Sequence, residues 1–140
     1  MRDKIIVALD VSMEKAKAIV SQTKDLVSIY KVGPVLWLQW GAGCLRYFQE
    51  QGVKVMIDFK FHDIPSTVKE SLAVLLEQEG AAQIWGLTLH ALGGFSMLRT
   101  AALERDRLGS GRPLLFGVTV LTSLREKDLF RVGINRGVDG

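Results

Sequence analysis

Asp58, Lys60 and Asp63 fall in one short run, Ile57-Asp58-Phe59-Lys60-Phe61-His62-Asp63-Ile64-Pro65-Ser66-Thr67-Val68. On a strand, residues two apart share a face, so Asp58 and Lys60 are expected side by side. Asp63 falls just beyond the strand, in the turn before a helix that Pro65 suits as a first-turn residue. Two readings fit an acid, a base and a second acid at a strand end. One is an ion-pair cluster that neutralises a buried strand end. The other is a fixed array of carboxylate and ammonium for a reaction that creates or moves negative charge. In the second reading Lys60 is a compact cation with a proton to give. Asp10, Lys31, His90 and Thr122 stand at or just after the ends of other apolar runs.

The remaining reactive side chains carry less. His62, at the end of the same run, is read as structural rather than catalytic. His90 suits a supporting hydrogen bond better than direct chemistry. The two histidines are far apart and lack helical spacing, a weak pattern for zinc, so no metal site is expected. The single cysteine, Cys44, lies in a helical segment and reads as packing. It also excludes an intramolecular disulfide framework and any multi-cysteine metal site. Trp37, Trp40, Tyr47 and Phe48 read as core, with a subunit contact as the alternative. Arg99, Arg105, Arg107 and Arg112 read as a solvated face rather than a phosphate site.

Five apolar, β-branched-rich runs must position these groups: residues 5–9, 28–32, 53–58, 84–89 and 114–120. They begin roughly 23 to 31 residues apart, the length of a βα unit. Continuous apolar runs of this kind suit buried parallel strands. Helical patterns fill the gaps over residues 13–26, 35–49, 65–79, 95–108 and 123–131. Ser12 suits the first N-cap, and Thr122 or Ser123 the last. Gly80 suits the end of the third helix. The result is an α/β fold with a parallel sheet. A doubly wound sheet expects a glycine-rich turn after the first strand, whereas this turn is Asp10-Val11-Ser12. A (β/α)8 barrel expects polar groups at the C-terminal ends of several strands, which is the pattern here.

Composition narrows the classes further. The 140 residues are 48% hydrophobic and 24% charged, a globular balance. Eighteen Lys plus Arg against 15 Asp plus Glu leave a net charge of +3, too small and dispersed to argue for nucleic acid. Near the start, the run at residues 5–9 is too short for a signal core or a membrane span. A cytoplasmic protein with no membrane partner is expected.

Asp58-Phe59-Lys60-Phe61-His62-Asp63-Ile64-Pro65-Ser66-Thr67-Val68 resembles the DxKxHDIPxTV signature of the orotidine 5′-phosphate decarboxylase family. Four other segments match in the same order: Ala8-Leu9-Asp10, Tyr30-Lys31-Val32-Gly33, Leu89-His90-Ala91-Leu92-Gly93-Gly94 and Val118-Thr119-Val120-Leu121-Thr122-Ser123. The resemblance implies decarboxylation of orotidine 5′-monophosphate to UMP, in pyrimidine biosynthesis, without metal or organic cofactor. It implies that Asp10 contacts the pyrimidine and ribose portion and that Lys31 binds the ribose region and joins the charge network. Asp58 would lie near the departing carboxylate, and Lys60 would protonate C6. Asp63, Ile64 and Thr67 would reach the neighbouring site of a homodimer, and Thr122 would bind substrate. Relatives on the same barrel, Mg-dependent sugar-phosphate decarboxylases or aldolases, share the acid-x-Lys-x-x-Asp core. The Ile64-Pro65-Ser66-Thr67-Val68 extension favours the nucleotide enzyme.

The sequence reaches residues 135–140 before a sixth strand pattern begins. A complete (β/α)8 barrel needs at least about 200 residues. Residues 1–140 are therefore expected to be the N-terminal portion of a single barrel domain, a partial TIM barrel of about five βα units with no second domain. The family's phosphate-gripping residues belong to later units. Low or absent activity is expected of this piece alone, and a fragment that only folds or associates is the remaining alternative.

Overall fold

A computed structural model describes residues 2–134. Residues 135–140, where the sequence shows no sixth strand, lie outside the described residues. Five strands form one sheet: β1 (Ile6–Ala8), β2 (Ile29–Val32), β3 (Lys54–Phe61), β4 (Ile84–His90) and β5 (Leu114–Val118). Their order is β1-β2-β3-β4-β5, and every neighbouring pair is parallel. The helices between them are α1 (Met13–Thr23), α2 (Pro34–Trp40), α3 (Gly43–Glu50), α4 (Pro65–Leu76), α5 (Gly94–Asp106) and α6 (Glu126–Arg131).

Strand alternation sorts the sheet into two faces. Tyr30, Val32, Val55, Ile57, Leu87 and Leu89 face the helices. They join Val20, Leu36, Leu45, Phe48, Val68, Leu72, Met97 and Ala101 in one buried cluster. Register places Lys31 beside Met56, Met56 beside Gly86 and Thr88 beside Phe116 on the opposite face. A doubly wound sheet reverses its strand order at a switch point and carries helices on both faces. Strands in strict chain order, with one helix-facing core, form the wall of a (β/α)8 barrel instead. The partial barrel expected from the sequence is what the chain folds into.

Several boundaries differ from the sequence expectation. The helix expected over residues 35–49 is two helices, because Gly41 turns left-handed at φ 62° and breaks the run between α2 and α3. Helix α1 stops at Thr23 and α4 at Leu76, about one turn early. Gly80, at φ 85°, turns the chain after α4 instead of capping it directly. Helix α6 starts at Glu126 with Arg125 at the N-cap, so neither Thr122 nor Ser123 caps it. The Asp128 carboxylate accepts the Arg125 backbone N–H at 3.1 Å. Strand β5 ends at Val118, whereas β3 runs past Asp58 to Phe61.

Other expectations hold. Ser12 caps α1, its hydroxyl accepting the Lys15 N–H at 3.4 Å, and Pro65 opens α4. Phe48 and Cys44 are buried, with Trp37, Trp40 and Tyr47 packed against the same core. Of the four arginines read as a solvated face, Arg99, Arg107 and Arg112 are exposed, with Arg107 paired to Glu104 at 2.8 Å and Arg112 to Asp106 at 3.2 Å, whereas Arg105 is half-buried and pairs with Asp106.

Candidate active site

Asp58 is the hub of the charged residues on the inner face. Its Oδ2 lies 3.0 Å from the Lys31 Nζ, and its Oδ1 lies 2.9 Å from the Lys60 Nζ. Lys31 also reaches Asp10 at 3.1 Å. Asp10, Lys31, Asp58 and Lys60 therefore form an alternating chain of anion, cation, anion and cation drawn from three successive βα units. Side-chain exposure is 10% for Asp58, 22% for Lys31, 37% for Lys60 and 54% for Asp10. The hub is shielded, and the Lys60 and Asp10 ends of the chain are the more exposed. Gly33 leaves room for this chain: a Cβ there would meet the Asp10 Oδ1 at 3.0 Å.

Asp58 and Lys60 do meet, but not by regular alternation. Ile57 pairs with Leu87 and Phe61 with Leu89, so β3 spends four residues where β4 spends two. This irregularity bulges β3 through the two charged residues. Lys60 sits at φ 49°, the only left-handed non-glycine among the described residues. That conformation costs an L-residue on the order of 1–2 kcal/mol. Its backbone N–H donates to the Thr88 Oγ1 at 2.9 Å, and the same hydroxyl donates to the Asp58 Oδ1 at 3.0 Å. Sequence reasoning missed Thr88. The available signal was one hydroxyl residue inside the apolar run Ile84-Trp85-Gly86-Leu87-Thr88-Leu89.

The electrostatics follow from these contacts. Burial pushes the Asp58 carboxyl up, but hydrogen bonds from Lys60, Lys31 and Thr88 outweigh it and hold the group below its ordinary value. Burial pushes Lys31 down, and its bonds to Asp58 and Asp10 overcome that and raise it. Both groups are thus held in their charged forms. Burial pushes the Cys44 thiol up to about 12, outweighing backbone hydrogen bonds that lower it, in keeping with its reading as packing.

The other expected residues lie around this array. The Asp63 carboxylate turns back to accept the Ile64 backbone N–H at 2.6 Å and has no ion pair among the described contacts. Ile64 and Thr67 are exposed at the start of α4, and Thr122 is exposed in the turn after β5. None of these four joins the Asp10–Lys31–Asp58–Lys60 chain. His62 stacks on His90 with ring centroids 4.8 Å apart, and the His90 Nδ1 accepts the Leu92 N–H at 3.3 Å. The pair ties the segment after β3 to the end of β4. Among the described residues, no cluster of His, Cys, Asp and Glu is arranged to hold a metal ion.

Barrel strands in chain order, with charged groups in or just beyond their C-terminal halves, place the chain in the (β/α)8 class. A family model described as "Orotidine 5'-phosphate decarboxylase / HUMPS family" matches residues 3–139, and the chain belongs to that family. It is 44% identical over 138 residues to an orotidine 5′-phosphate decarboxylase of Carboxydothermus hydrogenoformans, covering 95% of this chain and 55% of that protein. Among solved structures it is similar to an uncharacterized conserved protein from Geobacillus kaustophilus, with TM-score 0.85 and 33% identity over 95% of this chain and 62% of that one. It is also similar to the orotidine 5′-phosphate decarboxylase of Lactobacillus acidophilus, with TM-score 0.75 and 34% identity over 97% of this chain and 60% of that one. The chain spans about half the length of the curated relatives it matches, and the match falls in their N-terminal part.

Proposed function

We propose that this chain supplies the charge array of an orotidine 5′-monophosphate decarboxylase. The observation that carries the reading is the Lys60 ammonium, held 2.9 Å from Asp58 and partly exposed. In the reaction, the bond from C6 to the carboxylate breaks and its electron pair stays on C6 as CO2 leaves. The pyrimidine π-system delocalises that sp2 carbanion poorly, so a cation already in place lowers the barrier. Lys60 then gives its proton to C6, and the product is UMP. Asp58 holds the Lys60 ammonium and faces the departing carboxylate. Lys31 binds the ribose region, and Asp10 contacts the pyrimidine and ribose portion. Asp63, Ile64 and Thr67 serve the neighbouring site of a homodimer, which accounts for their standing outside the local chain of ion pairs. Thr122 contacts the nucleotide from the turn after β5.

The test is UMP formation by the polypeptide as its gene encodes it, with and without Lys60→Ala. Loss of a positioned general acid costs about 10²-fold or more in turnover. Turnover by the variant within about tenfold of the parent overturns the role given to Lys60. The family description also spans a second branch. Activity towards a sugar phosphate that is lost on EDTA treatment would assign the chain to that Mg-dependent branch.

A further inference from the structure

We propose that Thr88 is a positioning residue that aims the Lys60 ammonium by holding the backbone and the carboxylate on either side of it. The inference rests on the reading of Lys60 as the proton donor. Thr88 lies on β4, across the ladder from the β3 bulge, and is 3% exposed. Its hydroxyl is used in both directions: it accepts the Lys60 N–H at 2.9 Å and donates to the Asp58 Oδ1 at 3.0 Å. The same Oδ1 receives the Lys60 Nζ at 2.9 Å. One hydroxyl therefore closes a ring through the lysine backbone, the lysine side chain and the carboxylate.

The ring explains a conformation that strand geometry alone does not supply. Lys60 is left-handed inside a strand, and its N–H has left the regular ladder for Thr88. Without the hydroxyl that N–H loses its partner, and the backbone is free to return towards ordinary extended geometry. The Cα–Cβ direction of Lys60 would then turn, moving the ammonium relative to a bound substrate. Misplacement of about 1 Å is enough to slow a positioned proton transfer severely.

Thr88→Val keeps the branched shape and removes the hydroxyl, whereas Thr88→Ser keeps the hydroxyl and loses a methyl group. Three properties are read for each: kcat and KM for UMP formation, the thermal midpoint, and hydrogen exchange at the Lys60 amide. T88V is expected to lower kcat roughly 10- to 100-fold, with KM changed less than threefold, and to expose the Lys60 amide to exchange. T88S is expected to restore the amide protection and to bring kcat within about fivefold of the parent. A folded T88V protein with kcat within about threefold of the parent, or with an unchanged Lys60 amide, overturns the inference. If T88V does not fold, T88S decides: a folded T88S protein that has lost the amide protection overturns it, and retained protection supports it. If the parent polypeptide as its gene encodes it forms no UMP, the functional reading fails by itself, and the amide exchange of both variants in that polypeptide still decides the role of Thr88.

Discussion

At the residue scale, Asp58 balances burial against three hydrogen bonds, and that balance is measurable. Asp58→Asn removes the anion between two cations, leaving Lys31 and Lys60 facing one another. Charge-assisted hydrogen bonds of this kind contribute about 1.5–3 kcal/mol each before solvent screening, and both lysines are partly exposed, so a net loss of about 1–3 kcal/mol is expected. Urea unfolding of parent and variant measures it. The folded-state pKa of Asp58 lies below its ordinary value of 3.8. Its stabilising contribution is therefore present above 3.8 and lost as pH falls through the lower folded value. The parent-minus-variant difference should stay level from neutral pH down to that region and shrink below it. Lys31 has the opposite sign. Its folded pKa is raised, so its contribution is complete below 10.5 and fades as pH climbs through the higher folded value. A stability difference for Lys31→Met that disappears between pH 6 and 8 would contradict this placement, since about two pH units then separate it from any titration of Lys31.

At the element scale, the helices cover one face of the sheet and leave the charged groups at the ends of β1, β2 and β3 on the other. Leu72 is fully buried between α4 and the strands. Leu72→Ala should cost about 2–5 kcal/mol, read as a lowered unfolding midpoint. Gly80 is constrained twice over: its φ is 85°, and a Cβ there would lie 2.6 Å from the Leu45 carbonyl carbon. Gly80→Ala should therefore destabilise by more than the roughly 1 kcal/mol of an ordinary glycine effect, by pushing α3 away from the turn after α4. A thermal midpoint unchanged by this substitution would show that the turn yields. The β3 bulge is the element that matters most for chemistry. It gives up two ladder positions and gains a lysine whose backbone and side chain are fixed from separate directions.

At the scale of the whole molecule, the sheet has one strand at each side with a single described neighbour, β1 and β5. Both carry exposed apolar residues, Ile6 at 38% and Leu114 at 48%. Unpaired, apolar strand edges seek partners. A polypeptide of these 140 residues alone is expected to sediment as a species larger than a monomer. A compact monomer of full stability would show that the edges are closed by some other means. The same open geometry bears on activity. Binding energy from remote parts of a substrate helps reach the transition state. Among the described residues the local array is Asp10, Lys31, Asp58 and Lys60, so turnover by a polypeptide of residues 1–140 alone should be weak even with the array intact.

The sequence alone determined the βα succession, the barrel class and all four members of the array as strand-end groups. These rest on local signals: apolar period, strand-end polarity and a proline at a helix start. It also paired Asp58 with Lys60, though by an alternation that the bulge replaces. The tertiary structure decided what depends on contacts across strands. It made Asp58 the hub, brought in Thr88 from thirty positions away, split one expected helix at Gly41 and left Asp63 outside the local ion pairs. A hydroxyl in an apolar strand carries no mark of its partner until the register between β3 and β4 is set, because pairing is a property of two strands and not of either one.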